Sequence, residues 1–121
     1  MKTDNIVSDK SLLFAIRIVR LYQYLTDVKH EYVLSKQLLK SGTSVGANIR
    51  EALRGQSRQD FAAKMNISLK EICETQYWIE LLYKTDYITE KEFDSIFSDC
   101  QELIKLLTRI VKTSREKNCE S

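Results

Sequence analysis

The absence of proline is the strongest constraint on the fold of this 121-residue chain. Proline disrupts a helix interior most strongly, and glycine, the next most disruptive residue, occurs only three times. Stretches rich in Leu, Ile, Lys, Glu and Gln favour helix throughout. We therefore expect an all-α fold, and the length indicates one domain over residues 1–121.

Three breaks in the apolar periodicity divide the chain into four predicted helices. These span about residues 9–29, 33–54, 58–85 and 89–114, and residues 115–121 are expected to fray. Because the connecting turns are only a few residues long, each helix must run antiparallel to the next. The sequence therefore predicts an antiparallel up-down-up-down four-helix bundle.

Short polar side chains and one glycine mark the helix boundaries. Ser8 or Asp9 can cap the first helix, since their side-chain oxygens can accept from unpaired backbone amides. The segment Gly55–Ser57 can end the second helix and begin the third. Thr89 and Glu92 have the spacing of a capping box, which is the clearest boundary signal in the chain.

Two glycines lie one turn apart in the predicted second helix. Each of Gly42 and Gly46 costs about 1 kcal/mol relative to alanine in a helix interior. We expect the close approach of another backbone to compensate for this cost.

The first and third predicted helices carry more apolar surface than one bundle core needs. On the first helix this surface covers more than half of the circumference, and on the third helix it flanks the core stripe. Such apolar patches usually indicate association, and aromatic residues are enriched at the centres of interfaces. We predict a homo-oligomer whose interface includes Leu13, Phe14, Tyr77, Trp78 and Leu81.

A polar seam runs through the apolar faces of the second and third predicted helices. Its members are Ser41, Ser44, Asn48, Glu51, Ser68, Glu71 and Thr75. Counting outward from the turn places Ser44 level with Ser68 and Ser41 level with Glu71. The seam has two interpretations: small hydroxyls and a paired Asn48 fix the helix register, or Asn48, Glu51 and Glu71 form a small-molecule or enzymatic site.

Basic residues are concentrated near the second turn and on the fourth helix. The basic ridge consists of Arg50, Arg54 and Arg58, with Lys64 nearby, and a second stripe consists of Lys105, Arg109 and Lys112. One interpretation is a nucleic-acid-binding surface. The other is that cations near helix C-termini offset the helix dipole on a solvated face. The net charge of +2 does not by itself indicate a polyanionic partner.

Most catalytic and metal chemistry is poorly supported by the sequence. With one histidine and no CxxC pair, a metal site is not expected, and no cofactor motif or catalytic residue is identified. Cys73 and Cys100 are expected to be small core residues on adjoining helices. No apolar run approaches the ~20 residues of a membrane span, and no secretory signal is evident. We therefore expect a non-enzymatic cytoplasmic protein.

The stretch from Ser41 to Leu82 resembles a known family. Its segment SVGANIREA, residues 44–52, is similar to the serine-hydrophobic-x-x-Asn-Ile-x-Glu-Gly core of the four-helix-bundle proteins encoded within intervening sequences of bacterial 23S ribosomal RNA genes. Ser57, Asp60 and Phe61 resemble that family's start to the third helix. Ala52 stands where glycine is more usual.

The resemblance implies properties that the residue pattern alone does not give. It implies a toroidal homopentamer, related to the accessory variability proteins of diversity-generating retroelements. Those relatives bind a reverse transcriptase and nucleic acid through a strongly basic surface. For this chain, the resemblance implies a scaffold or interaction protein whose partners are further copies of itself and RNA or a nucleic-acid-processing protein, with no assigned catalysis and no membrane partner.

Overall fold

A computed structural model describes the backbone of residues 2–120 and the side chains of residues 3–116. The four helices are α1 (Lys2–Asp27), α2 (Leu34–Leu53), α3 (Arg58–Lys84) and α4 (Glu90–Glu120). Consecutive helices pack together and α1 also packs against α4, so that α1 and α3 lie on one diagonal of the bundle. The predicted all-α four-helix bundle is confirmed.

The first helix begins earlier than its polar residues suggest. It starts at Lys2, so the predicted cap at Ser8 or Asp9 is wrong. Neither glycine nor proline interrupts this first segment, and Val7 is completely buried in the core. Asp4 lies in the first turn, where a negative charge is favourable to the helix dipole.

The last helix continues beyond its predicted end near residue 114. Its backbone is helical through Glu120, and Ser121 lies outside the described residues. The continuation contains Arg, Glu and Lys and no glycine or proline, so the local preference for helix does not change. Only the apolar periodicity fades.

Two of the predicted helix starts are confirmed by their capping hydrogen bonds. Ser57 Oγ accepts from the backbone N–H of Asp60 at 3.0 Å. In the capping box, Thr89 Oγ1 accepts from the N–H of Glu92 at 3.2 Å, and the N–H of Thr89 donates to the Glu92 carboxylate at 3.3 Å. These short-range signals therefore place the starts of α3 and α4 correctly.

The start of α2 uses a cap that the sequence analysis missed. The carboxylate of Glu31, which is 8% exposed, accepts from the backbone N–H groups of Val33, Leu34 and Ser35 at 3.2, 3.0 and 2.7 Å. Burial raises the pKa of Glu31, but the hydrogen bonds from these three amides and the Ser35 side chain outweigh it and hold the pKa below its ordinary value. An acidic residue therefore performs the role that Ser, Thr, Asp or Asn usually has.

The two glycines of α2 are where α1 approaches most closely. A Cβ placed on Gly42 would lie 2.8 Å from two side-chain carbons of Ile18, and one on Gly46 would lie 3.1 Å from Ser11 Oγ. The expected close approach is confirmed, although the nearest atoms belong to side chains of α1. Gly42 and Gly46 therefore set the distance between α1 and α2.

Candidate functional site

The buried hydroxyls of the polar seam join α2 to α3. Thr75 Oγ1 lies 2.9 Å from Ser41 Oγ, and Ser68 Oγ donates to the carbonyl of Val45 at 2.8 Å. The predicted pairing of Ser41 with Glu71 is wrong by one helical turn, because Thr75 occupies that position. Ser68 likewise meets a backbone carbonyl in place of Ser44.

The remaining residues of the seam lie near the surface and use local partners. Ser44 Oγ donates to the Lys40 carbonyl at 2.7 Å, and Asn48 Nδ2 donates to the Ser44 carbonyl at 2.8 Å, both within α2. Glu51 forms an ion pair with Lys64 at 2.8 Å. The predicted pairing of Asn48 with a carboxylate is therefore absent from these contacts.

The second carboxylate predicted for the seam, Glu71, is placed differently from Glu51. Glu71 is half-buried on α3. Burial raises its pKa, the negative charge of Glu74 raises it further, and Lys40 lowers it in part. Across the described side chains, every buried polar atom has a hydrogen-bond partner. The buried hydroxyls of the seam therefore join the helices, and none of the buried polar atoms among the described residues is left for a ligand.

The basic ridge is split between two helices and the turn that joins them. Arg50 lies in the last turn of α2, Arg54 follows its end, Arg58 begins α3, and all three are exposed. Lys64 is set apart from the ridge because Glu51 neutralises its charge. The ridge thus leaves three arginines near one end of the bundle.

The position of the second basic stripe contradicts the dipole interpretation. Since α4 continues to Glu120, Arg109 lies well inside the helix and not in its last turn. The helix dipole acts within about one turn of a terminus, so it does not account for an arginine at this position. Arg109 remains exposed.

The predicted apolar surface on α1 is present but has a different membership. Leu13 is 64% exposed, whereas its neighbour Phe14 is 2% exposed and belongs to the core of the single chain. Phe14 is therefore wrong as an interface residue, because α1 directs it between the other helices. Leu12 and Ile16, each 47% exposed, extend the surface around Leu13. We call Leu12, Leu13 and Ile16 the α1 apolar face.

A second apolar surface lies on α3. Tyr77 is 57% exposed, while Trp78 and Leu81 are half-buried. The rings of Tyr77 and Trp78 meet edge to face with their centres 5.1 Å apart. We call Tyr77, Trp78 and Leu81 the α3 apolar face. Because α1 and α3 lie on one diagonal and do not pack against each other, these two faces are separate patches.

The groove between α1 and α4 is bordered by ion pairs. Arg17 contacts Asp99 at 2.7 Å, and Lys10 pairs with Glu102. Cavities of about 370 and 360 Å³ open along this groove, and Ile16 and Arg17 line both. The contact between α1 and α4 is much smaller than the other three helix contacts. This side of the bundle is therefore the least closed.

The described residues contain no group of three His, Cys, Asp or Glu side chains that could hold a metal ion. Cys100 is buried as predicted, but Cys73 is exposed, so the expectation of two core thiols is half wrong. Burial raises the pKa of Cys100 to about 12, which keeps that thiol protonated. Within the described part of the chain, no helix is long and apolar enough to span a membrane.

Comparison with known proteins places this bundle in a family. The sequence model of the 23S rRNA-intervening sequence protein family matches residues 3–109. The chain belongs to the 23S rRNA-intervening sequence protein family. The earlier resemblance is therefore confirmed over most of the chain, including the Ser44 to Ala52 segment.

A solved member of this fold gives the same architecture. The chain is 57% identical to a protein of unknown function from the S23 ribosomal protein family of Bacteroides thetaiotaomicron VPI-5482, with a TM-score of 0.90. The similarity covers 91% of this chain and 98% of that protein. No curated protein matches the chain. Neither the 23S rRNA-intervening sequence protein family nor this neighbour indicates an enzymatic activity.

Proposed function

We propose that this protein is a non-enzymatic scaffold that assembles into a homopentameric ring and binds RNA, alone or within a protein–RNA complex. The observation that carries the proposal is the pair of apolar faces on α1 and α3. Leu13 and Tyr77, at their centres, are each more than half exposed in the single chain. Burial of such side chains is a main driving force for association.

The positions of the two faces favour a ring over a two-fold dimer. A two-fold dimer uses the same patch on both subunits, whereas head-to-tail contacts join two different patches and close into a ring when the rotation allows. The α1 and α3 apolar faces are different patches on two helices that do not contact each other. Leu13 of one subunit would meet the Tyr77 region of the next. The number five comes from the family resemblance.

The RNA part of the proposal depends on charge near one end of the bundle. Arg50, Arg54 and Arg58 are exposed, and a ring repeats them in every subunit. Five copies concentrate a positive potential that the net charge of +2 on one chain does not suggest.

In this proposal the polar seam has a structural role. Ser41, Ser68 and Thr75 are fully engaged between α2 and α3, and Asn48 and Glu51 have partners of their own. An enzymatic or small-molecule site at the seam would need a donor or acceptor left available. The buried part of the described seam offers none.

Assembly is tested by the mass of the full chain in solution. We expect sedimentation equilibrium to give five times the 14.2-kDa mass of one chain. Leu13→Glu and Tyr77→Glu should each reduce this mass, because each places a charge in a desolvated contact. Val33→Glu is the matched control, since Val33 is 71% exposed in the α1–α2 turn and should leave assembly unchanged. A folded single chain at high concentration would overturn the ring.

Mixing the two interface variants distinguishes head-to-tail from two-fold contacts. The Leu13→Glu chain keeps its α3 apolar face, and the Tyr77→Glu chain keeps its α1 apolar face. One intact contact then forms between the two chains, so the mixture should give heterodimers and nothing larger. Heterodimers would be absent if Leu13 and Tyr77 met their own counterparts across a two-fold axis.

RNA binding is tested with a structured RNA hairpin and the assembled protein. The fraction of the RNA hairpin that the protein retains should fall steeply as the salt concentration rises, because binding releases counterions from the phosphates. Arg54→Glu should weaken retention at every salt concentration. Arg20→Glu makes the same change of charge on α1, where Arg20 contacts Gln23, and should have a smaller effect. If the protein does not retain the hairpin, or if retention does not depend on salt, the RNA part of the proposal is wrong and only the scaffold part stands.

A further inference from the structure

A cleft at the end of the bundle is lined by Arg109, which lies outside the basic ridge, and by Arg58, which belongs to it. The cleft encloses about 490 Å³ between the start of α1, the α2–α3 turn and the late part of α4. Small-molecule sites typically have volumes of about 300–1,000 Å³. Its lining residues include Arg58, Phe61, Arg109 and Ile110. The cleft is therefore large enough to hold a small ligand within a single subunit.

The lining of the cleft combines an apolar wall with two cations. Phe61, from α3, and Ile110, from α4, provide the wall, and Arg58 and Arg109 bring guanidinium groups to the same space. Asp4 adds one carboxylate, so positive charge exceeds negative charge. Apolar surface predominates in the lining. This composition suits a molecule with both an apolar body and an anionic group.

The two arginines are available to a ligand. Among the described side chains, neither Arg58 nor Arg109 forms an ion pair or a side-chain hydrogen bond, whereas Arg17 is held by Asp99 and Lys64 by Glu51. Guanidinium groups bind carboxylates and phosphates through paired hydrogen bonds. Arg109 also lies outside the basic ridge and far from the end of α4, so the helix dipole does not account for it.

We propose that the cleft lined by Arg58, Phe61, Arg109 and Ile110 binds a small molecule with a flat apolar body and one anionic group, either a phosphate or a carboxylate. The body would lie against Phe61 and Ile110, and the anion would bind between Arg58 and Arg109. The charge complementarity selects this class over a neutral apolar molecule of the same shape.

The test is a fluorescence anisotropy titration of the full chain with three probes of equal body. These are 1-naphthyl phosphate, 1-naphthoate and uncharged 1-naphthol, and the first two show which anion is preferred. At least one anionic probe should bind about tenfold more tightly than 1-naphthol. Arg58→Gln and Arg109→Gln should each weaken its binding about threefold to tenfold, as expected for charge-assisted contacts that are partly exposed.

Two matched controls assign the binding to this cleft. Thr113→Phe fills the cleft from α4 and should abolish binding, whereas Thr108→Phe makes the same change at an exposed residue of α4 that does not line it. Arg50→Gln changes the basic ridge without touching the cleft and should leave probe affinity unchanged. Circular dichroism confirms that each variant is folded.

Three results would overturn the inference. They are equal affinity for 1-naphthol and both anionic probes, unchanged binding in Thr113→Phe, and no binding at millimolar probe. Loss of RNA retention in Arg54→Glu with unchanged probe binding would separate this cleft from the proposed function. Probe binding by a folded single chain would show that the cleft does not depend on the ring.

Discussion

Replacing Gly42 by alanine tests whether the α2 glycines exist to admit α1. In an open helix this exchange stabilises the protein by about 1 kcal/mol, because alanine has the higher helix propensity. Here the added Cβ would lie 2.8 Å from Cγ1 and Cγ2 of Ile18. Ile18 is completely buried, so it cannot move into solvent. The higher helix propensity of alanine therefore stabilises the protein, whereas the contact of the added Cβ with Ile18 destabilises it.

The steric effect should dominate. Overpacking a core by one carbon costs about 1–3 kcal/mol, and the gain in helix propensity offsets about 1 kcal/mol of this. We expect Gly42→Ala to lower the free energy of unfolding by about 1 kcal/mol. Gly46→Ala is the matched control on the same helix. Its Cβ would lie 3.1 Å from the Ser11 hydroxyl, which donates to the Ser8 carbonyl at 2.7 Å. Weakening that bond should cost about as much as the gain in helix propensity, so the net effect should be near zero.

A double-mutant cycle with Ile18→Ala isolates the contact. Removing both Cγ atoms of Ile18 should make Gly42→Ala stabilising by up to about 1 kcal/mol, the propensity term alone. Urea unfolding measures each free energy at one fixed protein concentration, because dissociation of an oligomer would otherwise contribute. If Gly42→Ala stabilised the chain equally with and without Ile18, the close approach of α1 would not be the reason for the glycine.

The other predictions concern the α2 cap, the polar seam and the α3–α4 turn. Because hydrogen bonds hold the pKa of Glu31 below its ordinary 4.5, the ionised carboxylate contributes stability above that pH and loses it as pH falls through the folded-state pKa. Glu31→Gln should therefore cost about 1 kcal/mol in urea unfolding at pH 7 and progressively less below pH 4.5, and a pH-independent cost would contradict this. Thr75→Val should lower the free energy of unfolding by about 1–2 kcal/mol. Adding Ser41→Ala should recover part of this loss, because both partners of the buried pair are then absent. Additive losses would show that the two hydroxyls do not interact. Asp86, in the α3–α4 turn, has a φ of 70°, which valine disfavours and glycine adopts readily. Asp86→Val should therefore lower the free energy of unfolding by about 1–2 kcal/mol, and Asp86→Gly should not lower it. Equal effects of the two exchanges would indicate that this turn relaxes.

Helix boundaries could be predicted where a cap is formed by neighbouring residues. Ser57 and the Thr89–Glu92 box each act over three residues, so the sequence contains the whole signal. The cap at Glu31 was missed because glutamate is not a usual N-cap residue, and its effect depends on burial. The start of α1 was misplaced because polar residues such as Ser8 have capping ability without always using it.

The register between α2 and α3 could not be read from the side-chain pattern. Counting from the turn assumed that polar groups pair with polar groups, and placed Ser68 opposite Ser44. In the structure Ser68 donates to the backbone carbonyl of Val45, a group present at every residue. The cleft at the end of the bundle could not be predicted either, because Arg58 and Arg109 are far apart in the sequence. Only the packing of α4 beside the α2–α3 turn brings them to the same cleft.

The contact between α1 and the glycines of α2 determines which of Leu13 and Phe14 enters the core and which remains exposed. Both are large and apolar, and the wide apolar arc of α1 gives no preference. The core side of α1 is the side that carries Ser11 and Ile18 onto Gly46 and Gly42. Residues spaced three or four positions apart share a helix face, so Phe14 turns inward with them and Leu13 is left outside. The glycines of α2 thereby determine which apolar residues of α1 remain for association, and a variant that rotates α1 should impair folding and assembly together.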